Sequence, residues 1–268
     1  MSVISQYATP DRLKDRIALH VRYSPQLERE FHAWLFDHVT APPVADVLEV
    51  GCGSGQMWSL NAGRVPAEWK LTLSDFSAGM LTEARKTLER VGLTADYVQL
   101  SVDDLRVPDA SFDLAFANHM LYHAPDVEAA LAELRRVLRS GGRLYCATNG
   151  DGHMRQVQED SATLATAVPE LDLEPIDISG FSLETGEAAL RRQFDNVALF
   201  ERRDAIAVTE ADPYVRYVLS LARNTLQEAV AGKPDAAERF GQWLTALESR
   251  FEKGPLMVER ATGFFAAH

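Results

Sequence analysis

The sequence predicts an α/β protein built on a doubly wound, parallel sheet. Three observations predict it. Short apolar segments of strand length recur around Val47–Val50, Leu71–Leu73, Tyr97–Leu100, Leu114–Ala117 and Leu144–Ala147. Stretches with apolar residues at helical spacing lie between several of them. Glycine or proline closes most of those stretches, so the chain alternates strand and helix, which is the pattern of a parallel sheet.

The elements follow in chain order. Ser24 followed by Pro25 reads as a cap and a first-turn proline. Leu27, Phe31, Trp34, Leu35 and Val39 then form an apolar stripe, and Pro42-Pro43 ends that helix. Residues 1–43 therefore read as a helical N-terminal extension or cap, and 44–268 as the main domain. Val47 opens the first strand. Leu71-Thr72-Leu73-Ser74-Asp75 alternates as the second and ends in an acid. The next helix carries Leu81, Ala84, Leu88 and Val91 on one face and stops at Gly92. Tyr97 to Leu100 alternates as a third strand, and Leu114 to Ala117 is an apolar fourth. Asp126 opens a helix bearing Val127, Leu131, Leu134 and Leu138, closed by Gly141-Gly142. Arg143 to Thr148 is the fifth strand. Beyond Asn149 the pattern is less regular. Residues 153–168 read as helix, Gly186–Phe194 as a short helix, and Val197–Thr209 as one or two strands. Residues 213–252 are largely helical, broken at Gly232-Lys233-Pro234, and Met257–Ala266 is a last strand.

Composition narrows the function. The 268 residues are 46% apolar and 25% charged, ordinary for a globular domain with a full core. The 39 acids outnumber 27 bases, for a net charge of −12, and no basic run is present. Nucleic acid and anionic membrane surfaces are therefore disfavoured as partners, since both need clustered Lys and Arg. No apolar stretch approaches the ~18 residues of a membrane span. The N-terminus lacks the pattern of a secretory signal, so a cytoplasmic location is expected. Cys52 and Cys146 stand far apart and give neither a disulfide framework nor a zinc pattern.

The most telling stretch is V-L-E-V-G-C-G-S-G, from Val47 to Gly55. A strand runs into a loop with glycine at Gly51, Gly53 and Gly55, which can turn sharply and admit a ligand to its backbone. A dinucleotide fingerprint needs G-x-G-x-x-G, but here the third glycine is one position early and Gln56 takes its place. Glu49 would also repel a pyrophosphate, so NAD is disfavoured. It would attract an ammonium, as carried by S-adenosylmethionine. Asp75 lies 24 residues after Gly51, near the ~20-residue spacing at which an acid takes ribose hydroxyls. Asp75 or Ser77 is also a candidate N-cap for the following helix.

Four stretches in register carry a resemblance: V-L-E-V-G-C-G-S-G, L-S-D-F-S-A-G-M-L, D-A-S-F-D-L-A-F-A-N-H-M-L-Y-H and L-R-S-G-G-R-L-Y-C-A-T. From about Val47 to Thr148 the chain resembles the class I S-adenosylmethionine-dependent methyltransferases of the small-molecule type. That resemblance implies a Rossmann-like, mostly parallel seven-stranded sheet with strands six and seven as an antiparallel edge. It implies S-adenosyl-L-methionine as cofactor, with Glu49, Gly51, Cys52, Gly53 and Gly55 at its methionine end and Asp75 on the ribose. Phe76 and Met80 would flank the adenosine, Ser101, Val102 and Asp103 would meet the adenine, and Asn118 the methionine end. One departure stands out. The family often has an acid where this chain has Ser101, so either Ser101 or Asp103 takes the adenine amino group. The stretch 213–252 is then a helical insertion between strands six and seven. It either packs over the site with the N-terminal extension or lies on the sheet's outer face.

Methyl transfer is an in-line displacement, so the protein must align the acceptor, exclude water and remove a proton where the acceptor carries one. Strand four ends in Asn118-His119-Met120-Leu121-Tyr122-His123, and strand five in Asn149 with His153 close behind. His119 or His153 is the candidate base, and Tyr122 would orient the acceptor. His123 and Asn149 are candidate acceptor contacts, as are Tyr7, His20 and Tyr23 from the N-terminal segment. His123 is equally suited to packing at the start of the next helix. Arg16 and His20 share a helix face there. Asp151 does not assemble a ligand set, and no metal is expected. The expected function is methyl transfer to oxygen or nitrogen of a small molecule, with a homodimer entertained as the assembly. C-methylation, a cofactor-retaining cyclase and a non-catalytic binding module are the alternatives.

Overall fold

The computed structural model describes residues 10–24, 30–174 and 177–268. Its seven strands are β1 (Ala45–Val50), β2 (Trp69–Asp75), β3 (Asp96–Gln99), β4 (Phe112–Asn118), β5 (Leu138–Asn149), β6 (Val197–Val208) and β7 (Leu256–Ala267). They form one sheet in the order β3-β2-β1-β4-β5-β7-β6. β1 to β5 pair in parallel, and β7 runs antiparallel to β5. This is the doubly wound, mostly parallel seven-stranded sheet expected. The strand order reverses between β1 and β4, which opens a crevice beyond their carboxyl ends.

The chain divides into two compact units, each drawn from three stretches. One unit comprises Glu28–Asp151, Ile178–Arg202 and Thr262–His268. Its core gathers Val47, Leu71, Leu73, Leu114, Phe116, Tyr145 and Phe264 from the sheet. Trp58 from α3 (Gln56–Asn61) and Leu81, Ala84 and Leu88 from α4 (Ala78–Arg90) pack against them. Each Val, Leu or Phe among them contributes about 1.5–3 kcal/mol by leaving water.

Helix α2 (Phe31–Asp37) joins this core through Leu35 and Phe36. The start expected at Ser24-Pro25 is not its start. Residues 25–29 lie outside the described residues, and the helix is capped by the Glu30 side chain, which accepts from the backbone N–H of His32 and Ala33. Helix α5 (Val127–Val137) starts at the Asp126 cap, as expected, but Leu138 does not extend it. Leu138 opens β5 opposite Phe112, and the register shifts between Phe112 and Leu114. Residues 139–142 form that bulge. Gly141 has φ +76°, and a Cβ on Gly142 would stand 3.0 Å from the Arg139 carbonyl and 3.2 Å from that of Asp113. Gly141-Gly142 therefore shape a strand entry, where the sequence suggested a helix exit.

The second unit takes the described parts of 1–27, with Gly152–Asp177 and Arg203–Ala261. It holds α1 (Pro10–Tyr23), α6 (Arg155–Ala167), α7 (Ala211–Leu219), α8 (Leu226–Val230) and α9 (Pro234–Phe251). Leu19, Val157, Leu164, Tyr214, Val218 and Leu247 form its core. The expected insertion is thus helical, broken at 220–225 as well as at 231–233. The N-terminal helix and the insertion share one core, while α2 packs with the sheet. The division of the units therefore does not follow a single boundary at 43/44.

Arg260 anchors a polar cluster in this unit. Its Nε and Nη2 donate to the two Asp204 oxygens at 2.6 Å, and Nη1 donates to Ser24 Oγ at 2.8 Å and toward His20 Nδ1 at 3.4 Å. Burial, aided by the Arg260 charge and opposed by Asp204, pulls His20 down to about pKa 4. A lowered histidine contributes stability that is present above about pH 6.5 and is lost as pH falls toward 4. Between pH 7 and 5 the wild type should therefore lose about 2 kcal/mol more than His20→Gln, whose amide oxygen still accepts from Arg260. Denaturant titrations at both pH values measure this, and parallel losses would refute it.

Candidate functional site

The glycine loop follows β1 because each of its three glycines has positive φ: +69° at Gly51, +52° at Gly53 and +75° at Gly55. The space around them differs. A Cβ on Gly51 would lie 2.8 Å from Met120 Cγ, and one on Gly55 would lie 2.7 Å from Leu88 Cδ1. Gly51 is thus fixed by close approach to the segment after β4, and Gly55 by packing on α4. A Cβ on Gly53 would meet nothing within 4 Å. Its outward side is where a ligand can reach the backbone.

Asp75, at the end of β2, braces this loop. Oδ2 accepts from Gly53 N at 2.9 Å, and Oδ1 accepts from Ser77 N at 2.8 Å. Ser77 supplies the N-cap of α4, accepting from Met80 N at 3.4 Å. Each Asp75 oxygen keeps a further lone pair for an incoming hydroxyl. Phe76 beside it is 51% exposed, the presentation an aromatic needs to flank a base. Cys52 is buried beneath the loop, and burial with the nearby Glu49 and Asp75 charges raises its thiol far above the usual range.

Glu49 is 2% exposed. Trp58 Nε1 donates to Oε2 at 2.6 Å and Asn118 Nδ2 to Oε1 at 3.1 Å. Asn118 Nδ2 also contacts Met57 Sδ at 3.0 Å. Asn118 is 8% exposed, and its Oδ1 is buried with no hydrogen-bond partner among the described residues. A buried amide oxygen without a donor costs about 1–3 kcal/mol. Burial pushes Glu49 up to about pKa 7, against the Asn118 and Trp58 hydrogen bonds and the His32 charge, with Asp75 adding to the rise. The β1–β4 crevice therefore holds a carboxyl group and an amide oxygen, neither of which accepts a hydrogen bond from a cationic group among the described residues.

On the β3 side, the Ser101 hydroxyl donates to Asp103 Oδ1, and Asp104 N donates to Ser101 O at 3.2 Å. Ser101 and Asp103 thus form one polar turn around the buried Val102. At the end of β4, His119 is held at φ +53°, its N–H donating to Ala147 O at 2.9 Å. A histidine in that region costs about 1–2 kcal/mol, and the surrounding strands impose it. Its ring packs 5.1 Å from Phe31. Tyr122 and His123 follow in a short 3-10 turn with rings 4.5 Å apart. Asn149 ends β5 and pairs with Thr262 of β7.

The sequence pattern of the family described as "Methyltransferase domain" matches residues 48–146. Over this stretch the chain is similar to the class I S-adenosylmethionine-dependent methyltransferases. The cofactor of that family, S-adenosylmethionine, suits the residues present: its ammonium matches the buried Glu49 carboxyl and the unpartnered Asn118 amide oxygen, and its diol the spare lone pairs of Asp75. Over 99 residues the chain is 41% identical to the ubiquinone/menaquinone biosynthesis C-methyltransferase UbiE of Xanthomonas campestris, covering 36% of this chain and 39% of that one. It is 29% identical to the malonyl-[acyl-carrier protein] O-methyltransferase of Erwinia pyrifoliae, over 58% of this chain and 56% of that one. The chain thus spans less than two thirds of either relative. The solved YcgJ protein of Bacillus subtilis shares the fold, with TM-score 0.56, 17% identity, and 88% and 96% of the two chains covered.

Of the residues singled out in the sequence, Glu49, the glycine loop, Asp75, Phe76, Met80, Ser101 to Asp103, Asn118, His119, Tyr122, His123 and Asn149 all fall in the sheet's unit. His20, Tyr23 and His153 fall in the helical unit. There His153 Nδ1 lies 3.0 Å from Ala261 O, and its ring is 6.4 Å from that of His20. Tyr7 lies outside the described residues. Among the described residues, no group of three or more His, Cys, Asp or Glu is placed to hold a metal, and no helix is long and apolar enough to cross a membrane. The sequence reading missed Trp58, Met120, Phe31 and His32. Trp58 stands nine positions after Glu49 on a helix whose register only the fold reveals. Phe31 read as one member of an apolar stripe.

Proposed function

We propose that this chain binds S-adenosylmethionine at the β1 loop and passes its methyl group to an oxygen or nitrogen of a small molecule. The observation that carries the reading is the Glu49–Asn118 pair, a buried carboxyl and an unmet amide oxygen at the β1–β4 crevice. The bound cofactor supplies a methyl group on a sulfonium, an excellent leaving group. The chain's own part is positional. Glu49 and Asn118 hold the amino-acid tail, Gly53 lets it approach the backbone, and Asp75 holds the ribose. His119, in the same compact unit, is the base for an acceptor that carries a proton, and Tyr122 orients that acceptor. The net charge of −12 favours a small acceptor over a nucleic acid.

The test supplies methyl-labelled cofactor with a panel of phenols, carboxylic acids and amines, and locates the label by mass spectrometry. Label on oxygen or nitrogen is expected, whereas label on carbon overturns the acceptor assignment. His119→Gln should slow turnover by about a hundredfold or more with the affinity for S-adenosylhomocysteine kept. A variant as fast as the parent removes His119 as the base.

A further inference from the structure

The amino-acid tail of the cofactor is a zwitterion, and the residues above answer only its ammonium. A carboxylate entering beside a buried acid needs a donor of its own, or it is repelled. The groups acting on Glu49 are Asn118, Trp58, His32 and Asp75. Trp58 gives its N–H to Glu49, Asn118 gives its NH2 to Glu49 and Met57, and Asp75 is an acid. His32 alone among them can carry positive charge.

The fold pins His32 at the crevice. Its neighbour Phe31 packs on His119 at the end of β4. Its own carbonyl accepts from Asn61 Nδ2 at 3.2 Å, on the helix that follows the glycine loop. The first turn of α2 is therefore tied both to the end of β4 and to α3. Glu30 then fixes the ring: it accepts from His32 N at 2.8 Å, and its other oxygen lies 3.4 Å from Nδ1. A carboxylate beside one ring nitrogen orients an imidazole. The His32 side chain is 18% exposed, so a charge met there is weakly screened.

We propose that His32, oriented by Glu30, receives the α-carboxylate of the cofactor's tail, while Glu49 and Asn118 receive its ammonium. This rests on the cofactor reading above and adds a recognition residue to it. Glu30 is a positioning residue, acting through the imidazole.

Calorimetry on the full chain separates the two claims, using S-adenosylhomocysteine and its decarboxylated counterpart as probes. His32→Ala should weaken S-adenosylhomocysteine roughly 10- to 100-fold, the span of a hydrogen bond to a charged group. Binding of the decarboxylated probe should stay within about twofold. Glu30→Gln should show a smaller loss confined to the carboxylate-bearing ligand. His32→Gln keeps most of the side-chain volume and is carried alongside, with the same expectation as His32→Ala. Equal losses for both probes, or no loss for either, overturn the assignment. If the unaltered chain binds neither probe, the cofactor reading itself has failed, and this pattern differs from either of those.

Discussion

Asp75→Ala is expected to lower the affinity for S-adenosylhomocysteine by about a hundredfold or more, because one side chain serves two structures. Its carboxylate accepts the Gly53 and Ser77 N–H groups at 2.9 and 2.8 Å, so it fixes the loop and the start of α4. Each oxygen keeps a further lone pair for a ribose diol. The substitution removes the diol's acceptors and leaves two backbone donors to water. Stability should fall as well, by about 1–3 kcal/mol, since both lost bonds are charge-assisted. Asp75→Asn is the informative companion. Its single amide oxygen can keep one backbone bond, so part of the stability should return while affinity stays low. Calorimetry and thermal unfolding on both variants decide the matter. An Asp75→Asn variant that binds as the parent does would remove the ribose role and leave Asp75 a purely structural brace.

Where sequence and structure agree, and where they part, has physical reasons. Three segments were legible because each combines a strand signal with a conformational or positional demand. The glycine loop needs positive φ three times, and Asp75 and Asn118 stand at strand ends. Leu138 was misread because it sits at helical spacing after Leu131 and Leu134, and Gly141-Gly142 imitates a helix exit. Pairing with Phe112 overrides that spacing. Glu30 was invisible as a cap because Ser24-Pro25 offered a stronger local signal. His32 lay outside notice because spacing along a helix defines a face, not the strand end that face meets. His153 was grouped with His119 from nearness to a strand end. The fold divides the two between units, since Gly152 begins a new compact stretch.

Glu49 should make cofactor binding release protons. Burial holds its carboxyl near pKa 7, so near neutrality about half the chains carry it protonated. An ammonium beside it favours the charged form and drives that proton off. Calorimetry at pH 7 in two buffers of different ionisation heat should therefore report release of about half a proton per S-adenosylhomocysteine bound. Affinity should rise some tens of fold from pH 5 to 7. In more alkaline solution it should fall again, as the ligand's own α-amino group loses its charge. Without ligand the sign reverses. A raised acid contributes stability that is complete below about pH 4.5 and is lost as pH rises through 7. The unliganded wild type should accordingly gain up to about 3 kcal/mol relative to Glu49→Gln as pH falls from 7 to 4.5. The same buried carboxyl thus stabilises the empty chain in acid and the loaded chain at neutrality. Glu49→Gln should flatten both profiles. Binding heats that ignore the buffer would place a fixed charge, or none, at residue 49, and would leave the ammonium to Asn118 alone.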